Sequence, residues 1–341
     1  SKFVSLGNKA DISEIELLEA WSEDANSNVT LAYIEGVPDG QRFIETARRA
    51  SKKKPIVAVK SGVTQAGSRA VSSHTGSLAG SEQAYAAAFR QAGIIRANTM
   101  EEMFDYALAF AHQPLPKGNN FAIITNAGGP GILATDALER AGLKLAKLRT
   151  ETIKDLEAHL PDAASAANPV DVLGDAMADR YEMALDRVSQ DPNVDGLIVI
   201  LTPQAMTNIP GTAEAIVRIS QQGHIPVIAC FMGEFAVEAG VKILTKNGVP
   251  NYPFPERAVT ALKAMCHYRD TRSKPLPTFS RVEADRDRVQ KVFDRVRADG
   301  RMSIGDFEAR EVMEAYGLKM PDTFLAETAD QAVQIAADLG Y

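Results

Sequence analysis

Residues 29–60 read VTLAYIEGVPDGQRFIETARRASKKKPIVAVK, and this stretch sets the architecture. Residues 29–34 (VTLAYI) form a short apolar, β-branched run, which predicts a buried strand. Residues 40–50 read as a helix, and residues 55–60 (PIVAVK) as a second strand. Further on, residues 80–92 are Ala-rich and helical. Strand and helix alternating in this way predict an α/β fold, a parallel sheet with helices on both faces. This first module runs over 1–112.

Residues 113–120 (QPLPKGNN) read as a turn-rich linker. A second module follows over 121–268 in the same rhythm. Its strands fall at 121–125 (FAIIT), 196–201 (GLIVIL) and 226–230, with helices at 130–141, 212–221 and 234–247. Residues 269–302 read as a charged linker, carrying Pro275 and Pro277, that leads into a helix. The tail over 303–341 has a different character: a helix at 306–316 stopped by Gly317, a strand at 323–326 and a helix at 329–339. It reads as the opening of a third domain.

The bulk numbers narrow the function. A chain of 341 residues that is 45% hydrophobic can build two or three cores. Thirty-seven basic against 44 acidic residues give a net charge of −7. There is no long basic run, which argues against nucleic acid as a partner. No apolar run spans a bilayer and no signal-peptide pattern is present. The two cysteines, Cys230 and Cys266, lie in apolar surroundings that suit a reducing cytoplasm. A thiolate zinc site needs more ligands, and the five histidines show no metal-binding spacing. The chain starts on an apolar segment and stops just after Gly340, so it is expected to be an internal piece of a longer polypeptide.

Two loops attract attention. After the strand ending at Lys60, a small-residue loop runs through SSHTGSLAG (72–80) into a helix. Loops at the carboxyl ends of parallel strands are where open α/β sheets bind ligands. Hydroxyls, glycines and a helix start suit an anion, and neutral imidazole at His74 can attack phosphorus. On local sequence alone, a surface histidine in a flexible loop fits better, since a lone histidine is a weak signal. The second loop, TNAGGPG (125–131), follows a strand and opens a helix. Its glycines let backbone N–H groups approach a phosphate, though a tight strand-to-helix turn accounts for them as well. It lacks the lysine of a P-loop and the full dinucleotide spacing. Glu35 closes the first strand on the ligand-binding edge, where it can hold the second nitrogen of His74 or simply be solvated. Residues 168–171 (NPVD) fit a functional loop or a turn, and Lys9 can meet an anion or serve the fold. His112, His159, His224 and His267 read as packing or surface groups.

In order along the chain, GNKAD, YIEG, KSG, SHTGSLAG, TNAGGPG and NPVDV resemble the ADP-forming acyl-CoA synthetases, the acetate-activating branch above all, relatives of succinyl-CoA synthetase. The resemblance covers essentially the whole chain. It implies two flavodoxin-like, succinyl-CoA ligase-like modules, followed by the start of an ATP-grasp domain. The reaction it implies converts acyl-CoA, phosphate and ADP into acid, CoA and ATP. His74 would then be the phosphorylated histidine and Glu35 the acid that steadies it. Thr75, Gly76, Asn126, Ala127, Gly128 and Gly129 would cradle the phosphate at two helix starts. CoA, ATP or ADP, Mg2+ and phosphate are the implied ligands, with no protein-bound metal, and the assembly is expected to be oligomeric. The N-terminal CoA-binding domain of the family and most of its ATP-grasp domain have no counterpart, so the chain by itself is expected to lack full turnover. Two other readings share the motifs: the synthetase-like sensor region of a protein lysine acetyltransferase, and a non-catalytic acyl-CoA-binding module. The motifs leave the acyl group open.

Overall fold

Strand and helix alternate through the first 274 residues because apolar β-branched runs are punctuated by helix caps. The structure, a computed structural model, describes residues 2–7, 9, 11–64, 66–67, 81–275, 283–321 and 324–340. The chain divides into two compact units, Ser1–Lys274 and Pro275–Tyr341.

In the first unit, helix α1 (Glu14–Glu23) opens on a capping box. The Ser13 hydroxyl accepts from the Ile15 N–H, and Glu16 reaches back to the Ser13 N–H. Strand β1 (Thr30–Ile34) follows, then α2 (Gly40–Lys53), capped by Asp39, and β2 (Ile56–Lys60). Helix α3 (Glu82–Ala92) leads to β3 (Ile95–Ala97), and α4 (Met100–His112) closes the module under a Thr99 cap. The strands lie parallel in the order β1-β2-β3. The central strand β2 is buried throughout, which is why an unbroken apolar run marks it.

The second sheet is also fully parallel. It is built from β4 (Asn120–Thr125), β5 (Lys144–Leu145), β6 (Val170–Asp171), β7 (Gly196–Leu201) and β8 (Val227–Phe231). The order is β5-β4-β7-β8, with β6 beside the carboxyl end of β4. Helices α5 (Gly128–Arg140), α6 (Thr150–His159), α7 (Ala178–Ser189), α8 (Ile209–Gln221) and α9 (Glu238–Lys246) cover it, a 3-10 turn (Glu234–Val237) preceding α9. The helix expected over 234–247 is thus broken into two pieces.

The long helix α10 (Pro255–Ser273) fuses the two sheets. Val57, Val59, Ile95 and Ala97 from the first sheet share one core with Phe121 and Ile123 from the second. Met103 and Phe110 of α4 and Leu262 and Met265 of α10 fill the space between. Each of these side chains larger than alanine contributes on the order of 1.5–3 kcal/mol on burial.

The stretch read as a linker over 113–120 is pinned at several points. The Gln113 amide donates to Ser220 Oγ and to the Gly248 carbonyl at 3.1 Å each, and Gln113 Oε1 accepts from the Val227 N–H. Asn120 donates twice to Asp195 Oδ2, at 2.9 and 3.0 Å. Gly118 is required there, since any Cβ would run into the Asp195 carboxylate. Arg269, read as the start of the next linker, lies inside α10. It donates to the carbonyls of Pro116 and Gly118 and to Asn119 Oδ1. The ammonium of Lys52 takes the carbonyls of Thr271, Arg272 and Lys274, a cation on the negative end of α10.

The second unit holds helices α11 (Arg286–Ala298), α12 (Asp306–Ala315) and α13 (Ala329–Leu339). Val289, Val292 and Val296 of α11 are buried, as is Ala315 of α12. Arg288 and Arg295 pair with Glu311, and the Asp285 N–H donates to the Ala315 carbonyl. Helix α11, the helix expected at the end of 269–302, therefore packs with the tail. Of the strand expected at 323–326, residue 323 lies outside the described residues, and residues 324–326 are not in a strand. No helix among the described residues is long and apolar enough to cross a membrane.

Candidate functional site

The carboxyl edge of the second sheet carries the clearest ligand-binding geometry. Strand β4 ends at Thr125, and the chain turns at once into α5. The Thr125 hydroxyl accepts from the Ala127 N–H at 3.0 Å and donates to the Ala127 carbonyl at 2.8 Å, locking the turn. The first bond within the helix, from the Gly131 N–H, goes to the Ala127 carbonyl. That leaves Gly128 and Gly129 in the first turn, where N–H groups have no partner inside a helix. Pro130, next in line, has no N–H to offer. No side chain caps the helix, and Gly128 and Gly129 are exposed. Two free donors thus sit on the positive end of the helix dipole, an anion-binding arrangement.

Asn126 serves a different purpose. Its side-chain amide donates to the Thr202 carbonyl at 2.8 Å, and its Oδ1 accepts from the Thr202 N–H at 2.8 Å. The amide is consumed in tying the end of β4 to the end of β7, and the residue is 2% exposed. Ala127 has likewise given its N–H to Thr125. Of the four residues expected to cradle phosphate here, Gly128 and Gly129 keep free donors.

Asp171 ends the short strand β6 beside this helix start. A methyl group on Gly128 would lie 3.6 Å from Asp171 Oδ2. The other carboxyl oxygen of Asp171 accepts from the Leu173 N–H, and Leu173 takes φ 71, a left-handed conformation that is rare for a bulky side chain. Asn168, the first residue of NPVDV, is structural. Its Oδ1 accepts from Ile123 at 2.9 Å, and its Nδ2 donates to the carbonyls of Phe121 and Ala146. Of that motif, Asp171 lies by Gly128 at the helix start, and Pro169 packs near Gly131 one turn in.

On the first sheet, Glu35 follows the last residue of β1 and is half-buried. His74, Thr75 and Gly76 lie outside the described residues. Lys9 is spent within the fold, since its ammonium pairs with Glu14 at 2.8 Å and donates to the Gly36 carbonyl. Lys60, for which sequence reasoning assigned no role, is 6% exposed at the end of β2. Its ammonium lies 4.6 Å from the centre of the Tyr85 ring. Burial pushes its pKa down, against the opposing charges of Glu82 and Glu35. His112, His159, His224 and His267 are all exposed. No group of three or more metal-ligating side chains occurs among the described residues.

Comparison with known proteins bears on these edges. The family model of the succinyl-CoA ligase-like flavodoxin domain matches residues 1–110, and that of the ligase-CoA domain matches residues 121–276. The ADP-forming acetate–CoA ligase I of Archaeoglobus fulgidus is 40% identical over the whole chain, which covers 49% of that protein. The ADP-forming 4-hydroxybutyrate–CoA ligase of Nitrosopumilus maritimus is 37% identical, again over the whole chain and 49% of its own length. A solved dinucleotide-forming acetyl-coenzyme A synthetase 1 from Ca. Korarchaeum cryptofilum, in complex with phosphate and ADP, superposes with a TM-score of 0.75 at 38% identity. It covers 79% of this chain and 59% of its own. The chain belongs to the succinyl-CoA ligase-like family, in the branch of the ADP-forming acyl-CoA synthetases. It spans about half the length of the curated relatives it matches.

Proposed function

We propose that the protein is an ADP-forming acid–CoA ligase that converts acyl-CoA, phosphate and ADP into a carboxylic acid, CoA and ATP, with acetate as the acid. His74 carries the phosphoryl group between two sites. Its neutral ring nitrogen attacks the phosphorus of an acyl phosphate, the bond from phosphorus to the acyl oxygen breaks, and the carboxylate leaves. The new N–P bond then breaks in turn as ADP accepts the group. An imidazole with an ordinary pKa near 6.5 is neutral enough at cytoplasmic pH to serve. Glu35 accepts a hydrogen bond from the second ring nitrogen, which fixes the tautomer and offsets charge on the ring. Thr75 and Gly76 contribute to the phosphate cradle on one side, and the backbone of Gly128 and Gly129 on the other.

The observation that carries this reading is the uncapped start of α5, where two exposed glycine N–H groups face no intrahelical partner. Residues 303–341 open an ATP-grasp domain, Mg2+ enters with the nucleotide, and the working enzyme is a cytoplasmic oligomer. In support stand the acetate–CoA ligase from Archaeoglobus fulgidus and the solved synthetase with phosphate and ADP bound.

The test is phosphorylation of the full-length protein with γ-labelled ATP and Mg2+, comparing wild type with His74→Ala. The expected label is acid-labile, base-stable and absent from the variant. Equal labelling of both proteins overturns the reading.

A further inference from the structure

We propose that Asp171 is a specificity-determining residue: its free carboxyl oxygen lets the start of α5 take an oxyanion that carries a proton, inorganic phosphate, and turn away one that carries none, sulfate. This rests on the reading of that helix start as a phosphate site.

A carboxylate is an unexpected neighbour for an anion, because like charges repel at short range. Asp171 is nevertheless held firmly beside the free N–H groups of Gly128 and Gly129. It stands opposite Thr125 in the pairing of β6 with β4, and its N–H and carbonyl bond to the carbonyl and N–H of Ser165 at 3.0 and 3.1 Å. The next residue, Val172, donates to the Thr125 carbonyl at 2.8 Å. Oδ1 of Asp171 accepts from the Leu173 N–H at 2.9 Å, which holds the carboxyl group in one orientation. Oδ2 is then left on the side of the helix start, 3.6 Å from where a Cβ on Gly128 would stand, with no hydrogen-bond partner among the described residues. No described cation pairs with it. Arg180, the nearest basic residue in sequence, spends its guanidinium on the Val172 carbonyl at 2.8 Å and on Asp175 at 2.6 Å. Nor does a cluster of metal ligands gather there among the described residues.

An ionised carboxylate only accepts hydrogen bonds, and backbone N–H groups only donate them. Donors alone hold any small oxyanion. Donors together with one acceptor hold an oxyanion that offers both bare oxygens and an O–H. Inorganic phosphate keeps at least one P–O–H at neutral pH, whereas sulfate is fully deprotonated and presents lone pairs to every neighbour. With phosphate, the O–H donates to Oδ2 in a charge-assisted bond and the bare oxygens take the N–H groups of Gly128 and Gly129. With sulfate, Oδ2 meets only lone pairs and the repulsion is not relieved. The two ions are nearly the same size, so the shape of the site cannot separate them. A site built to bond a ligand's hydrogen rejects the analogue that lacks it far more strongly than shape alone does.

The experiment follows ATP formation by the full-length protein from acetyl-CoA, ADP and phosphate, in wild type and Asp171→Asn, with phosphate varied and sodium sulfate as the inhibitor. Asparagine keeps an oxygen for the Leu173 N–H and puts an NH2 donor where Oδ2 was an acceptor. The readout is the inhibition constant of sulfate divided by the KM for phosphate. In wild type this ratio should be about ten or more. In Asp171→Asn it should fall about tenfold or more, with sulfate binding more tightly than to wild type and the KM for ADP within about twofold. If circular dichroism shows that the asparagine variant does not fold, Asp171→Ser, whose hydroxyl can also accept from Leu173, is judged by the same criteria. A wild type that sulfate inhibits as tightly as phosphate binds overturns the proposal, since bare N–H donors or a bridging cation would behave in that way. So does a variant whose ratio falls by less, or one that binds sulfate and phosphate both more weakly, which is the behaviour of a turn that has lost its shape. A wild type that makes no ATP from acetyl-CoA, or makes it without phosphate, fails the underlying reading first, whereas a phosphate-dependent wild type with an unchanged variant removes only the role of Asp171.

Discussion

Replacing Gly129 by proline tests the backbone of α5 as an anion site without touching a side chain. Gly129 is in the first turn, its N–H has no intrahelical partner, and a methyl placed on it meets nothing within 4 Å. Proline suits this position, since its fixed φ matches the helix and the N–H it lacks bonds to nothing inside the helix. The ring of a proline normally clashes with the Cβ of the residue before it, but that residue is Gly128. The substitution also puts a proline ring before Pro130, where Gly129 now has no Cβ, so the variant is first checked for a wild-type circular dichroism spectrum. In a variant that keeps that spectrum, one of two free donors has disappeared. A hydrogen bond to a charged acceptor is worth roughly 1.5–3 kcal/mol. If that bond forms only as the phosphoryl group transfers, histidine labelling of the full-length protein should slow by about 10- to 150-fold. Gly129→Ala keeps the N–H and serves as the control, expected within about threefold of wild type. A proline variant that labels at the wild-type rate refutes the reasoning, and so does an alanine variant as slow as the proline variant.

Two further predictions concern what holds the site in place. Arg257 of α10 forms a two-bond pair with Asp105 of α4, at 2.6 and 2.7 Å, and Asp105 is 8% exposed. Because the Arg257 side chain is one-third exposed, Arg257→Met should cost only about 1–3 kcal/mol, less than a fully buried pair, and should lower the urea midpoint; an unchanged midpoint contradicts the role of this pair in joining the modules. At the start of α1, bonds from the Ser13 hydroxyl and N–H, with Arg42 nearby, hold the Glu16 carboxyl down at about 2, below its ordinary 4.5. A depressed carboxyl stabilises the fold above its unfolded pKa and loses that contribution as pH falls through the folded value, so the cap should fail between pH 4.5 and about 2. The Glu16 carboxyl resonance should accordingly titrate near 2 in wild type and move up in Ser13→Ala, and a wild-type midpoint near 4.5 would contradict the capping geometry.

The strands 121–125 and 196–201 were legible because both faces of a central parallel strand are buried, so the whole run is apolar. The two-residue strands β5 and β6 leave no such run, and only their pairing to opposite ends of β4 defines them. The end of α10 was hidden for another reason. Arg269, Asp270 and Arg272 read as a linker, yet Arg269 projects back onto the carbonyls of 116–118. At the candidate site the same limit is sharper. TNAGGPG gave away the turn and the helix start, because glycines at a strand's end have few other uses. The role of Asn126 could not be read from it, since the partner that consumes its amide, Thr202, lies 76 residues away. Lys60 was hidden inside PIVAVK, where a lysine ending a strand looks like a solvated tip until burial and the Tyr85 ring are seen. These failures share a cause. At the edge of an open α/β sheet the groups that bind an anion are backbone N–H donors, which every residue but proline possesses, and the side chains nearby keep them in place. A motif there records where side chains must be absent. Which polar side chains touch ligand and which only brace the edge depends on long-range pairing, and that is where Asn126 and Gly129, three residues apart, take different work.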